Sequence, residues 1–216
     1  MNASDFLSWL LIGVHLLLVL FGLVRWSRLD VGCRFTWAWA VVGLVARLLQ
    51  VSLPHPADRL IVAHFYFPVS TVLAAWALAF YQPTRRAADA VRLAGVGYVA
   101  AWAAITPLFE HLREFSRFTA PLRALLIAVI AILTIRARRR LHRYPPAEDR
   151  GLLIAAAFAV LYGATGIVAP YAAAYHTSVP ETVALLLRAR DVVILAAMVP
   201  MLWACMLHVD LERRAE

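Results

Sequence analysis

The stretch "LLLRARDVVIL" at 185–195 sets Arg188, Arg190 and Asp191 inside a long apolar run. Ionisable groups in a membrane-type segment are costly to bury and tend to mark a site. Other apolar runs carry isolated polar groups of the same kind, namely His15, Arg47, His64, Tyr66 and Arg123. Arg188 and Asp191 are three positions apart, so on a helix they share a face and can pair. Arg190 lies about 100° from Asp191 around a helix and must look elsewhere. Arginine outnumbers acid in this set. The chemistry it offers is charge-assisted binding of an anion, such as a carboxylate or a lipid head group.

Other chemistries find less material. Neither HxxxH nor HExxH occurs, and no set of His and carboxylates converges as a metal site requires. A haem would need axial ligands, and His15 and His64 are the only histidine pair at comparable depth. Ser70 stands near His64 without an orienting acid, so a serine nucleophile is not expected. No Gly-rich phosphate loop follows a strand. Cys33 and Cys205 make no CxxC and no metal spacing. The chain contains no lysine, which excludes a retinal Schiff base. No catalytic residue, metal or cofactor is expected, and a binding protein is favoured over an enzyme.

The elements that must position these residues are apolar helices. Of the 216 residues, 63% are hydrophobic and 16% charged, against about half and about a quarter in soluble domains. The excess falls in seven runs near 5–24, 35–53, 60–81, 91–109, 118–136, 152–173 and 183–208. Each is long enough to cross a bilayer, which takes roughly 20 residues. The loops between them are too short for a soluble domain. The expected fold is all-α: a single polytopic membrane domain over 1–216, a seven-transmembrane helix bundle. The start "MNASDFLSW" has no basic region, and "RWSR" follows the first run, so that run reads as a retained helix rather than a signal peptide.

Charge orients the bundle. Arginines crowd alternate loops: Arg25, Arg28 and Arg34; Arg85, Arg86 and Arg92; six between Arg136 and Arg150; then Arg213 and Arg214. The opposite loops hold only Arg59, Arg113 and Arg117. The positive-inside rule puts the N-terminus outside and the C-terminus in the cytoplasm. Trp26, Trp37, Trp39, Tyr81 and Trp203 are expected as an inner aromatic belt, with Trp9 and Tyr175 in the outer one. The +8 formal charge then reflects topology, with no nucleic-acid partner implied.

At about 1.5 Å per residue, orientation converts sequence position into depth. Arg47, His64, Tyr66, Arg123, Arg188, Arg190 and Asp191 fall in outer halves, as do Tyr162, Thr165 and Tyr171 between the middle and outer end of helix 6. His15 lies near mid-depth. Pro68, Pro107, Pro121 and Pro170 share the outer half, where proline can open space between helices. The inner halves are almost wholly Leu, Ala, Val and Ile. An outward-facing polar cavity is expected, lined by Arg188, Asp191, Arg47, Arg123, His15, His64 and Tyr66. Glu110 and His111 are expected as solvated loop residues. If the last helix enters the bilayer only at Val192, "RARD" is an interfacial anchor instead.

An N-out seven-helix layout, short Arg-rich inner loops and the aromatic-proline start "AHFYFP" of helix 3 resemble the seven-transmembrane sensor regions that precede some bacterial histidine kinases. The resemblance covers the whole chain with few specific motifs. It implies ligand sensing from the outer side of a bacterial cytoplasmic (inner) membrane. About eight residues follow the last helix, so no kinase is expected; a cytoplasmic signalling partner would dock on the basic loop 136–150. The first expectation is a receptor or sensor for a small anionic or lipid-like ligand, with membrane lipids as neighbours. The second is a small transporter or channel using the same residues, and the third an intramembrane enzyme. "VLAAWALAFY" (72–81) and "ILAAMVPMLW" (194–203) give only a faint internal repeat of transporter type.

Overall fold

The computed structural model describes residues 3–141 and 145–207. Arg143, Arg213 and Arg214, and residues 142–144 of the basic loop, lie outside the described residues. The described residues form seven α-helices and no strand. These are α1 (Ala3–Val24), α2 (Val31–Ser52), α3 (Pro56–Phe80), α4 (Arg85–Phe109), α5 (Thr119–Leu141), α6 (Arg150–Tyr175) and α7 (Pro180–Met206), with a single 3-10 turn at Trp26–Arg28.

Several helices begin a turn earlier than their apolar runs. The apolar run marks the part suited to lipid, while the helix itself extends until its first amides find a cap. Asp30 accepts from the Cys33 amide at 2.7 Å, Thr84 from Ala87 at 3.2 Å and Asp149 from Leu152 at 2.9 Å. α3 and α7 instead start on Pro56 and Pro180, which have no amide to satisfy.

Six helices, α1 to α6, are long and apolar enough to cross a membrane. The architecture is that of a helical membrane bundle. α7 departs from the expected seven spans: Glu181, Arg188, Arg190 and Asp191 occupy its first half, which leaves 192–206 as its longest stretch free of charge.

Sequence neighbours pack side by side, α7 closes the ring against α1, and α3 runs through the middle in contact with α2, α4, α5 and α6. Small residues permit this. Ala74, Ala75, Ala77 and Ala79 of α3 and Ala124 and Ala131 of α5 are almost fully buried. Where both the lipid and the core are apolar, close backbone approach through small side chains gains van der Waals contact that bulkier ones would block. Large apolar residues such as Leu16, Leu20, Leu93, Leu125 and Ile167 point outward.

One end of the bundle carries the α1–α2, α3–α4 and α5–α6 connections and most of the loop arginines. It is tied shut. The Tyr81 hydroxyl donates to Asp30 at 2.9 Å, Arg150 reaches the same carboxylate at 3.5 Å, and Arg150 also donates to the Leu207 carbonyl. Three helix ends thus meet on the Asp30 carboxylate, and Arg150 ties in the end of α7 as a fourth. The Tyr81 ring occupies a slot between Gly32 and Gly151; a Cβ at either would sit 2.5 Å or 2.8 Å from it. Tyr81 and Trp39 are therefore not belt residues. At 5% and 2% exposure they belong to the core, because each phenol or indole finds a polar partner inside the bundle.

Candidate functional site: a cationic cavity at one end of the bundle

The opposite end carries the α2–α3, α4–α5 and α6–α7 connections and contains a cavity of about 260 Å³. This is just below the usual small-molecule range of roughly 300–1,000 Å³. Every helix except α4 contributes to its lining. Its base is aromatic. The Trp39 indole donates to the Tyr162 hydroxyl at 3.2 Å, Phe158 stands edge-on to Trp39 at 5.4 Å, and His15 stacks on Trp39 at 6.0 Å. Beneath it lie Leu78, Ile127, Met198 and Met201, all fully buried. The buried hydroxyls nearest this layer, those of Thr36, Thr71 and Thr134, each donate to a carbonyl of their own helix.

Gly43 makes room at the base. A Cβ there would stand 2.9 Å from His15 Nε2 and 3.7 Å from the Tyr66 hydroxyl. His15 Nδ1 donates to the Leu11 carbonyl at 2.8 Å. A carbonyl can only accept, so Nδ1 carries the proton and Nε2 is left toward the cavity.

Arg123 is the deepest cation. It enters from the second turn of α5 and is 5% exposed, so it does not snorkel to the surface. Its Cζ lies 4.2 Å from the centroid of Phe67, 5.3 Å from Tyr162 and 5.5 Å from Tyr66. Nη1 donates to Ser70 Oγ at 3.0 Å. Nε is buried without a hydrogen-bond partner, and among the described residues no carboxylate forms an ion pair with this arginine. Cation–π contact offsets part of the desolvation cost, and the Nε donor is unmet.

Nearer the rim, Asp191 receives two arginines. Arg190 donates to Oδ1 from Nε at 3.2 Å and Nη2 at 2.7 Å, and Arg47 Nη2 lies 3.6 Å away. The expected Arg188–Asp191 pair does not form. Leu187, Arg190 and Ile194 face the cavity with helical spacing, and Arg188 lies about 200° from Arg190, so it is exposed on the outer face of α7. Arg190, adjacent to Asp191, is long enough to curl back to it. Arg188 is thus not part of the site, while Arg190, absent from the expected set, is.

His64 is buried and donates from Nε2 to the Glu114 carbonyl at 3.1 Å. Its Nδ1 has no hydrogen-bond partner; Glu110 Oε2 is 3.8 Å away, too far for one. Glu114 itself turns its half-exposed carboxylate toward Arg117, 4.0 Å away. Tyr66, Arg47, Arg123, His15 and His64 all line the cavity.

Glu110 is not a solvated loop residue. Its side chain is 1% exposed and caps the start of α5. Oε1 accepts from the amides of Phe118 at 2.7 Å and Thr119 at 2.9 Å and from Ser116 Oγ at 2.8 Å; Oε2 accepts from Thr119 Oγ1 at 2.6 Å. Burial alone pushes this carboxyl up, but the bonds from Thr119, Phe118 and Ser116 outweigh it and hold it below its ordinary range. His111, by contrast, is exposed as expected.

Sequence reasoning missed Arg190, Ser70, Trp39, Tyr162 and Gly43 as parts of the site. The 187–190–194 spacing was the available signal for Arg190; the others carry none, since Ser, Gly and aromatics are ordinary in packed membrane helices. Comparison with family models, with curated proteins and with solved structures finds no match to this chain.

Proposed function

We propose that this chain is an integral membrane receptor of sensor type that binds a small anionic ligand in the cavity at the α2–α3, α4–α5 and α6–α7 end. In this reading all seven helices span a bacterial inner membrane, with the N-terminus and cavity outside and the C-terminus in the cytoplasm. The arginine-rich connections support that orientation. In this reading α7 spans because Arg190 lines the cavity and Asp191 pairs with Arg47, while the exposed Arg188 extends along its aliphatic stem toward the outer interface.

The observation that carries the reading is the charge imbalance. Arg47, Arg190 and Arg123 converge on the cavity, and among the described residues only Asp191 pairs with the first two. Uncompensated buried cations are costly, and a bound anion removes that cost. The closed base favours a receptor over a transporter, since a transported solute would need polar groups to continue inward. An output would pass through a cytoplasmic partner on the basic α5–α6 connection.

Purified protein is melted against a panel of acetate, hexanoate, benzoate, phosphate, sulfate and phenylphosphonate, with hexanol and benzyl alcohol as neutral matches. A binder of the native state raises Tm with the logarithm of its concentration. At least one anion is expected to do so and the neutral matches are not. No shift with any anion, or equal shifts with the alcohols, would overturn the anion-receptor reading.

A further inference from the structure

Granting the anion-binding role proposed above, we propose that Arg123 is the receiving group and that the ligand class is a small organic carboxylate, held side-on by the Nε–Nη2 edge of its guanidinium. A guanidinium offers its donors only in its own plane. The Phe67 ring, with Tyr162 and Tyr66 farther off, takes the faces. Ser70 takes Nη1, and its own hydroxyl proton goes to the Phe67 carbonyl at 3.1 Å, so Ser70 is fixed as the acceptor. The edge that remains is Nε with Nη2, whose N–H bonds run parallel. Nε is buried and unpartnered.

Parallel N–H donors in one plane match the two oxygens of a carboxylate. The Phe67, Tyr162 and Tyr66 rings stand over the guanidinium as an aromatic wall, which leaves its open directions in its own plane. A tetrahedral phosphate or sulfate would press one oxygen on those rings, and a flat carboxylate would not. The same wall suits a short alkyl or single-ring tail, which a cavity of about 260 Å³ accommodates. Arg47 and Arg190, already engaged with Asp191, would contribute long-range attraction rather than the fork.

Benzoate and hexanoate are titrated into wild type, Arg123→Lys, Arg123→Gln and Arg47→Gln, with phenylphosphonate as the tetrahedral match. Binding is followed by calorimetry and Tm, and each variant is melted without ligand to confirm that it folds. Lysine keeps the charge and loses the fork. The expected result is carboxylate affinity at least about tenfold weaker in Arg123→Lys, a similar or larger loss in Arg123→Gln, and a smaller one in Arg47→Gln. Phenylphosphonate is expected to bind at least about tenfold more weakly than benzoate to wild type. If Arg123→Lys binds benzoate like wild type while Arg47→Gln does not, the cavity still binds anions but the assignment to Arg123 falls. Phosphonate binding equal to benzoate overturns the carboxylate class alone. If neither carboxylate binds wild type while phosphate or sulfate does, the assignment falls and the anion receptor stands. If no anion binds, both fall.

Discussion

Glu110 shows how much a single side chain can do where helices meet. Two backbone amides and two hydroxyls at the start of α5 converge on it. A carboxylate there satisfies amides that have no partner within the helix, and it complements the positive end of the helix dipole. Its pKa in the folded protein is held below the ordinary glutamate value of 4.5. The stability it contributes is therefore complete above about pH 4.5 and is lost as pH falls through the folded value. Glu110→Gln should lower stability by about 1–2 kcal/mol at pH 7. It should also flatten the decline of Tm between pH 5 and pH 3. An unchanged acid limb of the Tm profile would count against this role.

At the scale of the element, the rotation of α7 is decisive. Of Arg188, Arg190 and Asp191, only Arg190 lines the cavity; Asp191 stands beside the lining, where it pairs with Arg190 and Arg47, and Arg188 is exposed. Asp191 links α7 to α2 through Arg47 and keeps Arg47 from standing unscreened against Arg190. Asp191→Asn should cost about 1–3 kcal/mol, below the 3–5 kcal/mol of a fully buried pair because these side chains are 15–25% exposed. Arg188→Ala should change stability by less than about 0.5 kcal/mol. Denaturant unfolding of both variants checks the contrast; equal losses would mean that α7 is turned differently.

For the whole molecule, the two ends are built differently. One end closes on the Asp30–Tyr81–Arg150 network, and the other opens into the cationic cavity. The proposed topology can be read with reporters in a bacterial host. Green fluorescent protein fused after Glu216 should fluoresce, as it does only in the cytoplasm. Alkaline phosphatase should be active when fused after Ser178 and inactive when fused after Ala147. Were α7 to lie on the outer surface instead of spanning, the C-terminal fluorescent fusion would be dark and the Ser178 fusion unaffected. That pattern would remove the seventh span while leaving the other six.

The sequence by itself determined that the chain is a bundle of apolar helices and where each begins and ends, to within about a turn or two. Run length against bilayer thickness settles the first, and proline or capping residues such as Asp30, Thr84 and Asp149 settle much of the second. It also placed Arg47, His64, Tyr66 and Arg123 in outer halves and His15 near mid-depth, since rise per residue is constant. It could not determine helix rotation. In a soluble helix the polar face announces the outside, whereas here lipid and core are equally apolar, so the pattern around the helix carries little information. Only the tertiary structure decided that Arg190 and not Arg188 faces the cavity. It alone put Trp39 and Tyr81 in the core and made Glu110 a buried cap. Each of these depends on partners fifty to more than a hundred residues away, or on a loop folding back, and spacing along the chain does not encode such distances.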